Sequence, residues 1–402
     1  METGRKKGTF GEVFITALKL GLTSFGGPTA HVGYFREEYV KRKQWLGERK
    51  FAEYMALAQF LPGPASSQLG MAIGIERAGI KGSIAAWLGF TLPSALIMLL
   101  FALAASNADL SQAGWLQGLK LAAVAVVGLA VWSMGNTLAA GPIRATMAIG
   151  SAALALWIPG AGAQLIPLVI CAVVGLLWLQ PNLPKAEASD EPQNKPMISY
   201  PVAWTALALF AILLAALPIA SRLSASPLLA LVDSAYRAGS LVFGGGHVIL
   251  PMLEHEVVGS GAGKLSAETF TAGYGAVQAV PGPLFTFAAY IGGSMAGGLK
   301  GILFGTAALI FIFLPSFLLL LGALPFWHSL RGSIKAQAAL MGVNAAVVGI
   351  LLAALYNPIW HDAVQSPRHF VIVLLVFLLL HVWKRQPWQA VLFSALAGWV
   401  LL

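Results

Sequence analysis

Long apolar stretches alternate with short polar connections along most of the chain. Ile80 to Ala105, Leu119 to Leu138, Val202 to Ala220, Leu303 to Leu324 and Phe370 to Leu380 carry few or no charged residues. A helix needs about 20 apolar residues to cross a bilayer, and these runs reach or approach that length. No series of ten-residue segments alternates apolar and polar positions, as an outer-membrane barrel would require. The pattern predicts an all-α polytopic membrane protein. Composition agrees: 58% of residues are hydrophobic and 10% charged, where a soluble domain carries roughly 25% charged residues.

The pattern also repeats. Phe25-Gly26-Gly27 recurs as Phe243-Gly244-Gly245, and Gln59-Phe60-Leu61-Pro62-Gly63-Pro64 as Gln278-Ala279-Val280-Pro281-Gly282-Pro283. Lys81-Gly82 returns as Lys300-Gly301, Leu92-Pro93-Ser94 as Leu314-Pro315-Ser316, and Ala125-Val126-Val127-Gly128 as Ala346-Val347-Val348-Gly349. Five landmarks in one order, displaced by 218 to 222 positions, mark an internal duplication. The apolar-poor segment Pro181 to Ser199 reads as a surface linker. The expected division is residues 1–180, a cytoplasmic linker over 181–199, and residues 200–402.

Charge orients the copies. The connection after the first Phe-Gly-Gly carries Arg36, Lys41, Arg42, Lys43, Arg49 and Lys50, whereas its counterpart carries Glu254, Glu256 and Glu268 with only Lys264. Lys and Arg concentrate on the cytoplasmic side, so equivalent connections are expected on opposite faces. Five apparent spans between the first Pro-Gly-Pro hairpin and the second copy, an odd number, predict the same inversion with a cytoplasmic N-terminus. Arg5, Lys6 and Lys7 precede an apolar stretch, but Glu12 and Lys19 interrupt it and no small-x-small site follows, so the segment is expected to be retained. The net charge of +9 sits in short connections and predicts topology rather than a nucleic-acid partner. Cys171, the single cysteine, lies in an apolar run and is expected to be a buried, inert thiol.

Each copy is cut twice by Gly or Pro, which predicts re-entrant half-helices. Such backbone is tolerated at membrane depth where protein covers it or a polar cavity receives it, and broken segments at matching places in two inverted halves point to a transporter's central site. Pro64 and Pro283 suit the first turn of a returning half-helix. Ser66 and Ser67, and Thr286, then sit at positive helix ends that favour anions. Lys19 and Arg237 each lie six residues before a Phe-Gly-Gly, and paired cations inside apolar segments are costly enough to suggest function; snorkelling to the interface is the structural alternative. Gln59 and Gln278 precede the Pro-Gly-Pro turns, with helix capping as their structural alternative. His31 and His247 are candidates for carrying a coupling proton, or for structural hydrogen bonding. Glu37, Glu38 and Glu53 read as interfacial charges.

Leu18-Lys19-Leu20-Gly21, Phe25-Gly26-Gly27-Pro28, Gln59-x-x-Pro62-Gly63-Pro64, Ile73-Gly74 and Leu92-Pro93-Ser94 resemble the signature of the chromate ion transporter family, long two-domain type. The second copy answers with Phe243-Gly244-Gly245-Gly246, Ile249-x-Pro251, Gln278-x-x-Pro281-Gly282-Pro283, Ile291-Gly292 and Leu314-Pro315-Ser316. The second copy lacks the counterpart of Trp45. The resemblance implies export of chromate from the cytoplasm and chromate resistance, with sulfate as a close analogue, in a bacterial inner membrane. Expected partners are chromate or a sulfate-like oxyanion and the lipid bilayer, with a homodimer as a further possible assembly and no cofactor. An intramembrane enzyme would need a nucleophile beside a base, or a metal cluster, and the chain offers no such pattern. Val258 and Leu265 spoil a phosphate-binding loop at Gly259 to Lys264. A passive channel of the same architecture stays open.

Overall fold

The computed structural model describes residues 8–106, 114–158, 162–179, 197–224, 226–243, 246–259 and 264–402. Most of the expected linker, with Gly244, Gly245, Asp109 and Arg5 to Lys7, lies outside them. The first copy comprises α1 (Phe10–Thr23), α2 (Gly27–Phe35), α3 (Glu48–Phe60), α4 (Ala65–Ser106), α5 (Gly114–Leu138), α6 (Pro142–Trp157) and α7 (Gly162–Trp178). Residues 200–402 hold α8 (Tyr200–Leu223), α9 (Pro227–Leu241), α10 (Ile249–Val257), α11 (Ala267–Val277), α12 (Phe287–Ala296), α13 (Gly298–Ala323), α14 (Trp327–Gly332), α15 (Ile334–Ala354), α16 (His361–Ala363), α17 (Pro367–His381) and α18 (Pro387–Leu401). Among the described residues there is no strand beyond one isolated bridge, Val258 to Leu265. The protein is an all-α polytopic membrane protein. Among the described residues five helices are long and apolar enough to cross a bilayer, and large apolar side chains such as Ile149, Trp157, Leu177, Trp204 and Leu299 stand on the outer surface, where lipid can cover them.

Both predicted breaks of the first copy are present. After α1, Gly26 at φ +100° and Gly27 at φ +73° adopt left-handed conformations that stop one helix and start the next. Leu61, before Pro62, is extended, as the proline ring requires. Ala78 and Gly79 then leave helical geometry inside α4, so Ala65 to Arg77 is a returning half-helix about 20 Å long, distinct from the span beginning at Ile80. The second copy reproduces this after α11, with a 3-10 turn at Leu284–Thr286 leading into the ten residues of α12. Gly297 and Gly298, again at positive φ, then make the corner that Gly79 makes in the first copy.

The copies interlock. α5 packs on α17 and α18, while α15 packs on α6 and α7, so the long central helix of each copy is held by the closing pair of the other. Small residues permit the contact: a Cβ on Gly118 would meet the Ser394 carbonyl, and one on Gly342 the Cys171 carbonyl. Cys171 itself is buried, with Sγ 3.3 Å from Ser151 Oγ.

Candidate functional site

The breaks of opposite copies are hydrogen-bonded to each other. The Gly63 N–H donates to the Val242 carbonyl at 2.6 Å, and the Gly282 N–H to the Ser24 carbonyl at 2.9 Å. Ser24 and Val242 immediately precede Phe25 and Phe243, so these two bonds are symmetry partners. The same reciprocity holds in packing: Gly63 lies against the Ser316 hydroxyl and Gly282 against the Ser94 hydroxyl, from the paired Leu-Pro-Ser elements. Contacts that exchange when the copies exchange define a twofold axis passing between the two Pro-Gly-Pro turns.

Two cavities flank this centre. One, of about 270 Å³, is lined by Gly26, Gly27, His247, Gln278, Gly282 and Leu284 among others. The second, of about 620 Å³, is lined by Gln59, Gly63, Ala65, Ser66, Thr137 and Asn344 among others. Ser133 and Met134 of α5 border both. Among the described residues no Asp, Glu, Lys or Arg lines either cavity; the polar lining is hydroxyl, amide and imidazole. Gln278 Nε2 is buried without a hydrogen-bond partner among the described residues, whereas Gln59 is exposed. His31 Nδ1 lies 3.2 Å from Ser66 Oγ and its Nε2 is buried without such a partner; His247 Nδ1 lies 2.8 Å from Tyr274 Oη. Uncharged donors at the start of a half-helix suit an anion.

A family model described as "Chromate transporter" matches residues 11–177 and again residues 229–399. The chain belongs to the chromate transporter family. A chromate transport protein of Pseudomonas aeruginosa is 28% identical over 98% of this chain and 92% of the relative, and one of Cupriavidus metallidurans is 27% identical over 98% and 93%. An uncharacterized transporter of Methanocaldococcus jannaschii is 29% identical over 97% of this chain and 94% of the relative. No solved structure matches. As a chromate transporter family member the protein is a membrane transporter and not an enzyme.

The structure distributes the remaining expected site residues of this family member unevenly. Pro62, Pro64, Pro281 and Pro283 shape the two turns. Thr286 is fully buried, its hydroxyl donating to the Pro283 carbonyl and its N–H to the same oxygen at 3.1 Å, so that amide is already bonded rather than free. Ser67 Oγ is buried without a hydrogen-bond partner among the described residues but lines neither cavity. Phe25 packs on Trp388, ring centroids 6.2 Å apart, and Phe243 packs on the core. Lys19 and Arg237 also line neither cavity. Lys19 Nζ lies 3.5 Å from Glu38 Oε2. Arg237 grips Asp233 at 2.8 and 3.0 Å and Glu256 at 2.8 Å. Glu38 is therefore more than an interfacial charge: its side chain is 8% exposed and also pairs with Arg42. Glu38 and Glu256 stand 218 positions apart, as do Lys19 and Arg237, so the repeat arithmetic already held this pairing.

Three further features escape sequence reasoning. Ser94 and Ser316 look like parts of a packing motif until the turns of the opposite copy are laid against them. Asn344 and Lys120 hide inside apolar runs; Lys120 is 8% exposed and feels the charges of Glu268 and Asp362. In the polar connection, Arg36 Nε donates to Glu48 at 2.9 and 3.0 Å, a hydrogen bond that holds the Glu48 carboxyl below its ordinary value. That contribution is present above the ordinary carboxylate pKa and is lost as pH falls through the lowered one.

Proposed function

We propose that this protein is a secondary carrier moving chromate, or a sulfate-like tetrahedral dianion, out of the cytoplasm and so conferring chromate resistance. The observation that carries the reading is the pair of cross-bonded helix breaks beside cavities with an uncharged polar lining. It is supported by relatives named chromate transport proteins. A dianion leaving water needs many oriented donors, and amides, hydroxyls and half-helix ends supply them without a cation held permanently in the path. The proposed binding groups are Gly26, Gly27, Gln59, Ser66 and Gln278, around turns that Gly63 and Gly282 hold in place through their N–H bonds to the opposite copy, with His31 and His247 placed beside the breaks to carry a coupling proton. Cells expressing the protein should accumulate less chromate than a null strain, and excess sulfate should reduce the difference. Equal accumulation at verified expression overturns the export reading.

The same proposal places the chain in a bacterial inner membrane with its N-terminus cytoplasmic, residues 1–180 and 200–402 as inverted transporter repeats, and 181–199 as a cytoplasmic linker. Lys43 and Lys264 are both exposed and occupy equivalent connections. With Cys171 buried, single cysteines introduced there give a clean readout. A membrane-impermeant thiol reagent applied outside should label Lys264→Cys and spare Lys43→Cys. Labelling of both, or of neither, contradicts the inversion.

A further inference from the structure

Polar side chains in the middle of a membrane helix need a partner, because an amide buried without one is costly. Asn344 lies in α15 between apolar neighbours, lines the larger cavity across from the Pro-Gly-Pro break of the first copy, and has Oδ1 buried with no hydrogen-bond partner among the described residues. Nothing in the repeat demands an amide here. With α5 and α15 aligned on their shared Ala-Val-Val-Gly, the equivalent of Asn344 is Ala123, fully buried in α5, so the fold accepts alanine at this position. The rest of that cavity wall shows the same one-sided polarity. Ser133 and Thr137 border the larger cavity, while the position equivalent to Ser133 is Ala354 and that equivalent to Thr137 is Pro358. A polar wall of three residues thus faces Gln59, Gly63 and Ser66 in one half of the molecule.

We propose that Asn344 is a substrate-contacting, specificity-determining residue: with its acceptor Oδ1 turned into the protein, its amide Nδ2 donates to a tetrahedral oxyanion held in the larger cavity, beside the Ser133 hydroxyl, while the Thr137 hydroxyl donates to the Ser133 carbonyl at 3.0 Å and only shapes the wall. This rests on the oxyanion-carrier reading and adds to it a contact outside both repeat motifs. An anion without protons only accepts hydrogen bonds, so neutral donors such as the Asn344 amide and the Ser133 hydroxyl favour fully ionised oxyanions. An acceptor-only carboxylate at the same place repels them.

The test is titration of purified protein with chromate, sulfate and perrhenate, a tetrahedral monoanion, for wild type, Asn344→Ala and the near-isosteric Asn344→Asp, with thermal unfolding followed in parallel. Asn344→Ala should bind chromate about tenfold more weakly, the loss of one hydrogen bond of about 1.4 kcal/mol. Asn344→Asp should lose more for chromate than for perrhenate, because the repulsion scales with the product of the charges, and the gap should widen as pH rises and the new carboxyl ionises. Should the alanine variant fail to fold, the dianion-to-monoanion ratio of the aspartate variant decides alone. Unchanged affinities in variants of a wild type that binds, or equal proportional losses for both charge types, overturn the assignment of Asn344 and leave the carrier reading standing. A wild type that binds neither chromate nor sulfate overturns the carrier reading and this contact with it.

Discussion

Alanine at Gly63 or Gly282 is expected to cut transport per folded molecule at least tenfold. Gly63 sits at φ +120° and Gly282 at φ +99°, where a side chain costs roughly 1–2 kcal/mol. A Cβ at Gly63 would run into Ser316 Oγ and reach 3.0 Å from Gln68 Nε2; at Gly282 it would lie 2.8 Å from Ser94 Oγ and 3.2 Å from the Phe90 carbonyl. Relieving that overlap costs about 1–3 kcal/mol. Any shift of the turn also strains the N–H bond to the opposite copy, worth roughly 1 kcal/mol. The total of roughly 3–6 kcal/mol falls on the contact where the two copies meet. Reconstituted vesicles, normalised to folded protein, are the measurement. Ser316→Ala should partly restore Gly63→Ala and leave Gly282→Ala unrescued, and Ser94→Ala should do the converse. Full activity of both glycine variants would mean that the turns are ordinary packing features.

Arg237→Gln should lose folded protein before it loses anything else. The guanidinium is the partner of Asp233, whose side chain is 7% exposed, and of Glu256, at 25%. Removing one member of a buried ion cluster leaves uncompensated charge and costs roughly 3–5 kcal/mol, a cost that the partial exposure of Arg237 and Glu256 reduces toward about 2–3 kcal/mol. Lys19→Gln should be mild, because Lys19 is 52% exposed and 3.5 Å from its carboxylate, and exposed pairs contribute about 0–1 kcal/mol. Thermal unfolding in detergent should therefore show a large drop for Arg237→Gln, a small one for Lys19→Gln, and partial recovery when Glu256→Gln accompanies Arg237→Gln. An Arg237→Gln protein that melts like wild type and loses only oxyanion affinity would instead put this cation on the substrate.

The sequence by itself determined the solvent, the helical class, the duplication and the places where the helices break. Each follows from local physics: apolar runs long enough for lipid, and Gly and Pro at positions where no helix continues. Phe25-Gly26-Gly27 and Pro62-Gly63-Pro64 carry their geometry in φ angles that those residues alone permit. Repeat arithmetic also contained the clasp between Arg237 and Glu256, although a cation in an apolar segment, viewed without its carboxylate, suggested an anion ligand. Only the tertiary structure decided what the breaks touch. The Gly63 amide meets the Val242 carbonyl and Ser316, some 180 and 250 positions away, and no helical period relates such residues. Interlocking of α5 and α15 with the opposite copy's closing helices likewise decided that Ser133, Thr137 and Asn344 share one cavity wall. Within a lipid-facing chain a lone polar residue can turn toward bilayer, core or cavity with the same periodicity, and the packing of the other copy chooses among them.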